Sequence, residues 1–216
     1  VGKTGTEKRF TDASVVQRHR GGPDEVRETE SPVGSHGRYT YEDYLRLPDD
    51  RDYEVIGGEL ILVPRPQPYH QKIAYRLFSA LEEFGTERNL GEAYGDVDVV
   101  LGDQVVSPDV IFITRERFEI LGETHVRGAP DLVVEVVTSS TRKRDRKDKS
   151  RLYFEHGVKE YWLVDPEDRL VEVFVPGAGD WQRAGIFDET EVLTSPLLPG
   201  LEINLQRIFR RGILPS

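Results

Sequence analysis

Seven residues in the middle of the chain, Asp131-Leu132-Val133-Val134-Glu135-Val136-Val137, form an apolar run with an acid inside it. A run that is apolar on both faces belongs in a central strand covered from both sides. An isolated charge costs several kcal/mol to bury, so Glu135 must find a cation or a hydrogen-bond donor. Alternate side chains of a strand share a face, which groups Glu135 with Asp131, Val133 and Val137. Earlier in the chain a second run, Asp109-Val110-Ile111-Phe112-Ile113, is opened by Ser107-Pro108. If the two runs lie side by side, the Asp109 and Glu135 carboxylates meet at one end of a sheet.

The surrounding pattern alternates helices and strands. A capping pattern at Thr40-Tyr41-Glu42-Asp43 introduces a short helix that ends before Pro48. Tyr53 to Ile56 and Glu59 to Val63 flank Gly57-Gly58 and read as a hairpin. From His70 to about Asn89, Ile73, Leu77, Leu81 and Phe84 recur at helical spacing. Strands are expected at Val97 to Leu101 and at Lys159 to Val164, with helices at Thr114 to Leu121 and at Arg142 to His156, the latter closed by Gly157. Arg169 to Val175, Trp181 to Phe187 and Glu191 to Leu193 read as an antiparallel meander. The expected fold class is therefore α/β, a mixed sheet flanked by helices with an N-terminal hairpin and a C-terminal antiparallel meander.

Residues 1–38 are polar and aperiodic, broken by Gly21-Gly22-Pro23 and Ser31-Pro32, and are expected to be a flexible or tag-like tail before one domain over 39–216. The absence of cysteine excludes disulfides, thiolate metal sites and a cysteine nucleophile. Methionine is absent even at position 1, so the chain is expected to be processed or incomplete. No segment has the apolar length of a membrane span or of a signal peptide, and a cytoplasmic location is expected. A net charge of -10 argues against gripping a polyanion with the whole surface. Between Arg142 and Arg151, however, seven Lys or Arg stand against two Asp, a local charge of +5. That run is either a solvated helix face or a surface turned to phosphates.

Two close carboxylates repel and raise one pKa unless a cation separates them, and carboxylates with a phosphate are a usual way to hold Mg²⁺. Asp109 and Glu135 are thus candidate ligands for Mg²⁺ (or Mn²⁺). The alternative is a Glu135 salt bridge to a helix lysine, with Asp109 merely starting a strand. Asp145, Lys149 and Tyr153 are spaced i, i+4, i+8 and share one helix face, from which Lys149 can reach that sheet end. Glu54, Glu59 and His70 are candidates for a third ligand or for a supporting role, and Asp98 for a contact through water. Asp131 is expected to hold a turn, and Tyr161-Trp162 to pack rather than to stack on bases.

Pro108-Asp109 followed by a strand bearing Glu135 resembles the PD-(D/E)XK nuclease superfamily, although Val137 stands where that superfamily places its lysine. The stretch from Tyr53 to Val173 is more specifically similar to the Uma-two family of restriction-type endonucleases. The resemblance is carried by Tyr53-Glu54, Gly58-Glu59-Leu60, His70-Gln71, Pro108-Asp109, Ala129 to Val136, Ser139, Asp145, Lys149, Tyr153, Gly157-Val158 and Glu160 to Asp165. It implies a restriction-endonuclease-like fold and Mg²⁺-dependent hydrolysis of DNA phosphodiester bonds. Asp109 and Glu135 would hold the metal, and Lys149 would supply the lysine from the following helix. Glu54 and His70 complete the expected catalytic set. DNA is the expected partner and a homodimer the expected assembly, with a catalytically silent binding or regulatory module as the alternative.

Overall fold

A computed structural model of the chain describes residues 37–48, 52–138, 141 and 145–211. The expected tail therefore lies, except for its last two residues, outside the described residues.

The chain opens with α1 (Tyr41–Tyr44), where the Thr40 side chain and Asp43 form the expected capping box. The hairpin strands β1 (Tyr53–Ile56) and β2 (Glu59–Leu62) turn at Gly57 and Gly58, whose φ angles of 62° and 82° suit glycine. Next comes α2 (Pro68–Glu87), with proline in its first turn, where the missing N–H costs nothing. Strands β3 (Gly91–Gly95), β4 (Val99–Leu101), β5 (Gln104–Val106) and β6 (Val110–Thr114) follow. A 3₁₀ segment, Arg115–Ile120, leads to β7 (Val126–Arg127) and β8 (Leu132–Val136). One π-helical turn, Asp145–Lys149, runs into α3 (Ser150–Glu155). Strands β9 (Glu160–Asp165), β10 (Leu170–Pro176), β11 (Trp181–Asp188), β12 (Val192–Thr194) and β13 (Glu202–Asn204) precede α4 (Leu205–Ile208).

The main sheet has the order β11-β10-β9-β8-β6-β3, in which β8 and β9 are the parallel neighbours. A second sheet, β2-β1-β5-β4-β7, carries the hairpin. Alternation along the central strands feeds two cores. Val110, Phe112, Leu132, Val134 and Trp162 pack with Ile73, Leu77 and Leu81 of α2. Ile111, Ile113, Val133 and Tyr161 pack with Leu152 and Tyr153 of α3 and with Val99 and Val106 of the second sheet. Tyr161 and Trp162 are both buried, so their work is packing. Among the described residues no helix is long and apolar enough to cross a membrane.

One expectation needs correcting, and one strand was not expected. Glu191–Leu193 does not extend the meander. Val192 to Thr194 leave β11 and pair with Glu202 to Asn204, which lets Leu193 and Ile203 join the core under α2. Gly91–Gly95, too glycine-rich to read as a strand, is held as one by its ladder with β6 and by the Ala93 N–H donating 2.8 Å to Glu82.

Register is what positions the site. Strands β6 and β8 are antiparallel with Val110 opposite Val134 and Ile111 opposite Val133, so one step further Asp109 faces Glu135. At the other end Asp131 clamps the neighbouring strands. It accepts from the Thr114 N–H at 2.8 Å and hydroxyl at 2.9 Å, from Arg117 at 3.1 Å and from Lys159 Nζ at 2.7 Å. Burial opposes its charge, but the bonds from Lys159, Thr114 and Arg117 prevail and hold its pKa below the ordinary value. A lowered carboxyl pKa gives stability that is full above the unfolded value near 4 and is lost as pH falls through the folded value. Asp131→Ala is expected to cost about 2–4 kcal/mol in urea unfolding at neutral pH. The gap to the native chain should narrow only below about pH 4; an equal gap at every pH would contradict this reading.

Candidate active site

At the end of the main sheet, three elements bring acids to one ammonium. Lys149 leaves the π-helical turn and enters the space between the sheets, 5% exposed. Its Nζ stands 2.7 Å from Glu54 Oε1 on β1, 3.1 Å from Glu135 Oε1 on β8 and 3.8 Å from Asp145 Oδ1, one turn before it. The Tyr153 hydroxyl donates 2.6 Å to the same Glu135 Oε1. The i, i+4, i+8 face expected from sequence therefore turns inward. The buried Asp145–Lys149 pair is not a surface pair, and the ion pair between Glu135 and a helix lysine, the alternative to a metal site in the sequence reading, is present.

Asp109 stands at the sheet end and is less enclosed, with 22% of its side chain exposed. Its Oδ2 accepts 2.7 Å from the Val136 N–H, in the β8 position next to Glu135. His70, in the first turn of α2, places Nε2 3.4 Å from the same oxygen and 2.5 Å from the Val136 carbonyl. A carbonyl only accepts, so Nε2 carries the proton and Nδ1 does not in the neutral ring. His70 Nδ1 is buried with no hydrogen-bond partner among the described residues.

These groups form the floor of a cleft of about 980 Å³ lined by α1, the Val63–Gln67 connection, the first half of α2 and the ends of β3, β6 and β8. Ser107, which the sequence reading passed over, ties its rim together. Its N–H donates 3.1 Å to Glu54, and its hydroxyl donates 2.5 Å to Asp98, which also accepts 2.6 Å from Tyr44. The position of Ser107 directly before Pro108-Asp109 was the available signal. Glu59 is exposed on the hairpin and does not line the cleft. Asp131 lies at the opposite end of its strand, in the structural role expected.

Burial raises the Glu135 pKa well above its ordinary value; Lys149 opposes the rise, and Asp145, Asp109 and Glu54 add to it. Asp109 is raised in the same way by burial, with His70, the Val136 N–H and Lys149 offsetting part of the rise. Burial would by itself discharge Lys149, but Glu135, Glu54 and Asp145 outweigh it and keep the ammonium protonated far above the ordinary lysine range.

The side-chain donors at Asp109 and Glu135 are carboxylate oxygens, which suit a hard divalent cation. Both bonds to Glu135 go to Oε1 and both contacts of Asp109 to Oδ2, so Oε2 and Oδ1 carry no protein bond among the described residues. Among those residues no three His, Asp or Glu form a ready-made cage. Mg²⁺ does not need one, since one or two carboxylates with waters and a substrate phosphate are its usual shell. The residues present fit such an ion.

The basic run is only partly described. Arg142, Lys143 and Arg144 lie outside the described residues, as does Ser139. Arg146 pairs with Glu172, Arg151 with Glu155 at 2.7 Å, and Lys147 is exposed.

Comparison with known proteins adds three findings. The family profile described as "Uma2: Putative restriction endonuclease" matches residues 41–206. No curated protein matches the chain. Among solved structures, the chain is similar to "a putative nuclease belonging to DUF820" from Anabaena variabilis ATCC 29413. The two share 21% identity and a TM-score of 0.67, over 79% of this chain and 97% of that one. At that identity the likeness shows the fold.

Raised carboxyl pKa values mean that the folded chain keeps protons the unfolded chain has released, so these two groups make stability fall as pH rises from about 4 through the folded values. Asp109→Asn with Glu135→Gln is expected to flatten the melting-temperature profile between about pH 5 and pH 8 relative to the native chain. Parallel profiles would show that neither carboxyl is perturbed.

Proposed function

The chain belongs to the Uma2 family, and from that premise we propose that it is a divalent-metal-dependent endonuclease hydrolysing phosphodiester bonds in DNA. One observation carries this reading: Asp109 and Glu135 face each other at a sheet end that opens into a large cleft, with a protonated lysine behind them. Asp109 and Glu135 would hold Mg²⁺ or Mn²⁺, which would supply Lewis-acid polarisation of the scissile phosphate and a more acidic attacking water.

The chain's own residues orient and balance that site. The Val136 N–H and His70 fix one Asp109 oxygen and leave the other turned away from the protein bonds. Lys149 and Tyr153 do the same for Glu135. Lys149 also keeps a permanent positive charge at the cleft floor, next to where negative charge grows on the phosphate oxygens. In this reading the ammonium positions Glu135 and Glu54 and acts on the phosphate from within the floor. A homodimer belongs to the proposal. A monomer in light scattering would remove it.

The test is plasmid nicking with Mg²⁺ or Mn²⁺, alongside RNA and single-stranded DNA. Asp109→Asn and Glu135→Gln, each confirmed folded, are expected to lower the rate about a hundredfold or more. Calorimetric titration should show a divalent-ion site that either change removes. Undiminished cleavage in the variants would reject these residues. A native chain that neither binds a divalent ion nor cuts would instead be the silent binding module.

A further inference from the structure

The cleft has a wall that hydrolysis of a phosphodiester does not by itself require. Tyr75 of α2 is 69% exposed and lines the same cleft as Asp109 and Glu135. Its ring stacks on that of Phe78, one turn further along the same helix face, with centroids 6.3 Å apart and planes 28° from parallel. Phe78 in turn lies near the Asp109 backbone, with Gly95 beside both. The point where a Gly95 Cβ would sit is 3.8 Å from the Phe78 ring and 3.4 Å from the Asp109 carbonyl oxygen. Leu45, the C-cap of α1 and 63% exposed, lines the same cleft.

Beyond the acid floor the cleft gives a phosphate backbone little to grip. Among the described residues, Asp52, Asp96 and Asp98 line it outside the Lys149 cluster and Asp109, against Arg65 as the further Lys or Arg. A face of this kind holds nucleic acid through base contacts more readily than through phosphates, and base stacking on aromatic rings is indifferent to sequence. A base can stack there only if it is not already stacked and paired in a duplex.

We infer that Tyr75, backed by Phe78, is a stacking platform for an unpaired base next to the scissile phosphate, so that the substrate of this site is single-stranded or locally unpaired DNA. The inference rests on the nuclease reading of the cleft floor and names the substrate class that reading leaves open. Tyr75 is a specificity residue: it touches the substrate base and no reacting atom.

The test separates binding from cutting. Oligonucleotides carrying 2-aminopurine are titrated in Ca²⁺, as a single strand and as a blunt duplex of equal length, and cleavage is measured separately in Mg²⁺. The native chain is expected to quench the single-stranded probe and to bind it more tightly than the duplex. Tyr75→Ala should weaken single-strand binding about tenfold and lose the quenching, Tyr75→Phe should restore both, and the melting temperature should not move because the ring is exposed. Equal binding of both probes with no effect of Tyr75→Ala would overturn the inference, even if Mg²⁺-dependent cleavage stands. Tyr75-dependent quenching without any cleavage would support the platform while removing the nuclease reading beneath it.

Discussion

The Lys149 ammonium ties the hairpin sheet to the main sheet. It emerges from a π-helical turn and bonds to Glu54 of the hairpin sheet and to Glu135 of the main sheet. Each of these acids would be costly to bury alone, and an ammonium in the same place would be costly without them. Together they create a polar floor inside an apolar interface, and the cleft opens above it. The arrangement explains why Lys149 holds its proton so firmly while the Glu135 pKa is raised: burial disfavours the carboxylate, one cation serves several acids, and the acids repel one another.

From that floor the division of labour follows. Asp131 sets the register of β8 at one end, and the register sets Asp109 against Glu135 at the other. The Val136 N–H and His70 hold one face of Asp109, and Lys149 with Tyr153 holds one face of Glu135. What remains of both carboxylates is hard oxygen with raised proton affinity, the condition a divalent cation relieves. The aromatic pair at Tyr75 and Phe78 flanks this arrangement without taking part in it.

Much of this was legible in the sequence because burial is legible. An acid inside Leu132 to Val137 has to be accounted for, and Asp145, Lys149 and Tyr153 at helical spacing offered the partner. The helical period of Ile73, Leu77 and Leu81 gave α2, and the glycine pair gave the hairpin. What was not legible depends on contacts distant in the chain. Alternation puts Glu54 on the face opposite Val55, but only the docking of the second sheet against α3 makes that face an interior one. The strand at Gly91–Gly95 exists through its ladder with β6 rather than through its own residues. Val192 to Thr194 left the meander because β13, which has little strand character of its own, offered an apolar partner in Ile203. Ser107 carries no periodic signal at all, and its two bonds appear only once β1, β4 and β5 are assembled.

The central claim is that one divalent ion is the missing counter-charge between Asp109 and Glu135. Anomalous scattering from crystals of the protein grown with Mn²⁺ tests it most directly. The expected result is a single strong peak within coordination distance of an Asp109 oxygen and a Glu135 oxygen, with Glu135 still bonded to Lys149. An empty site at saturating Mn²⁺, with Glu135 held by Lys149 and Tyr153 alone, would contradict the claim and leave the lysine cluster as a structural joint between two sheets.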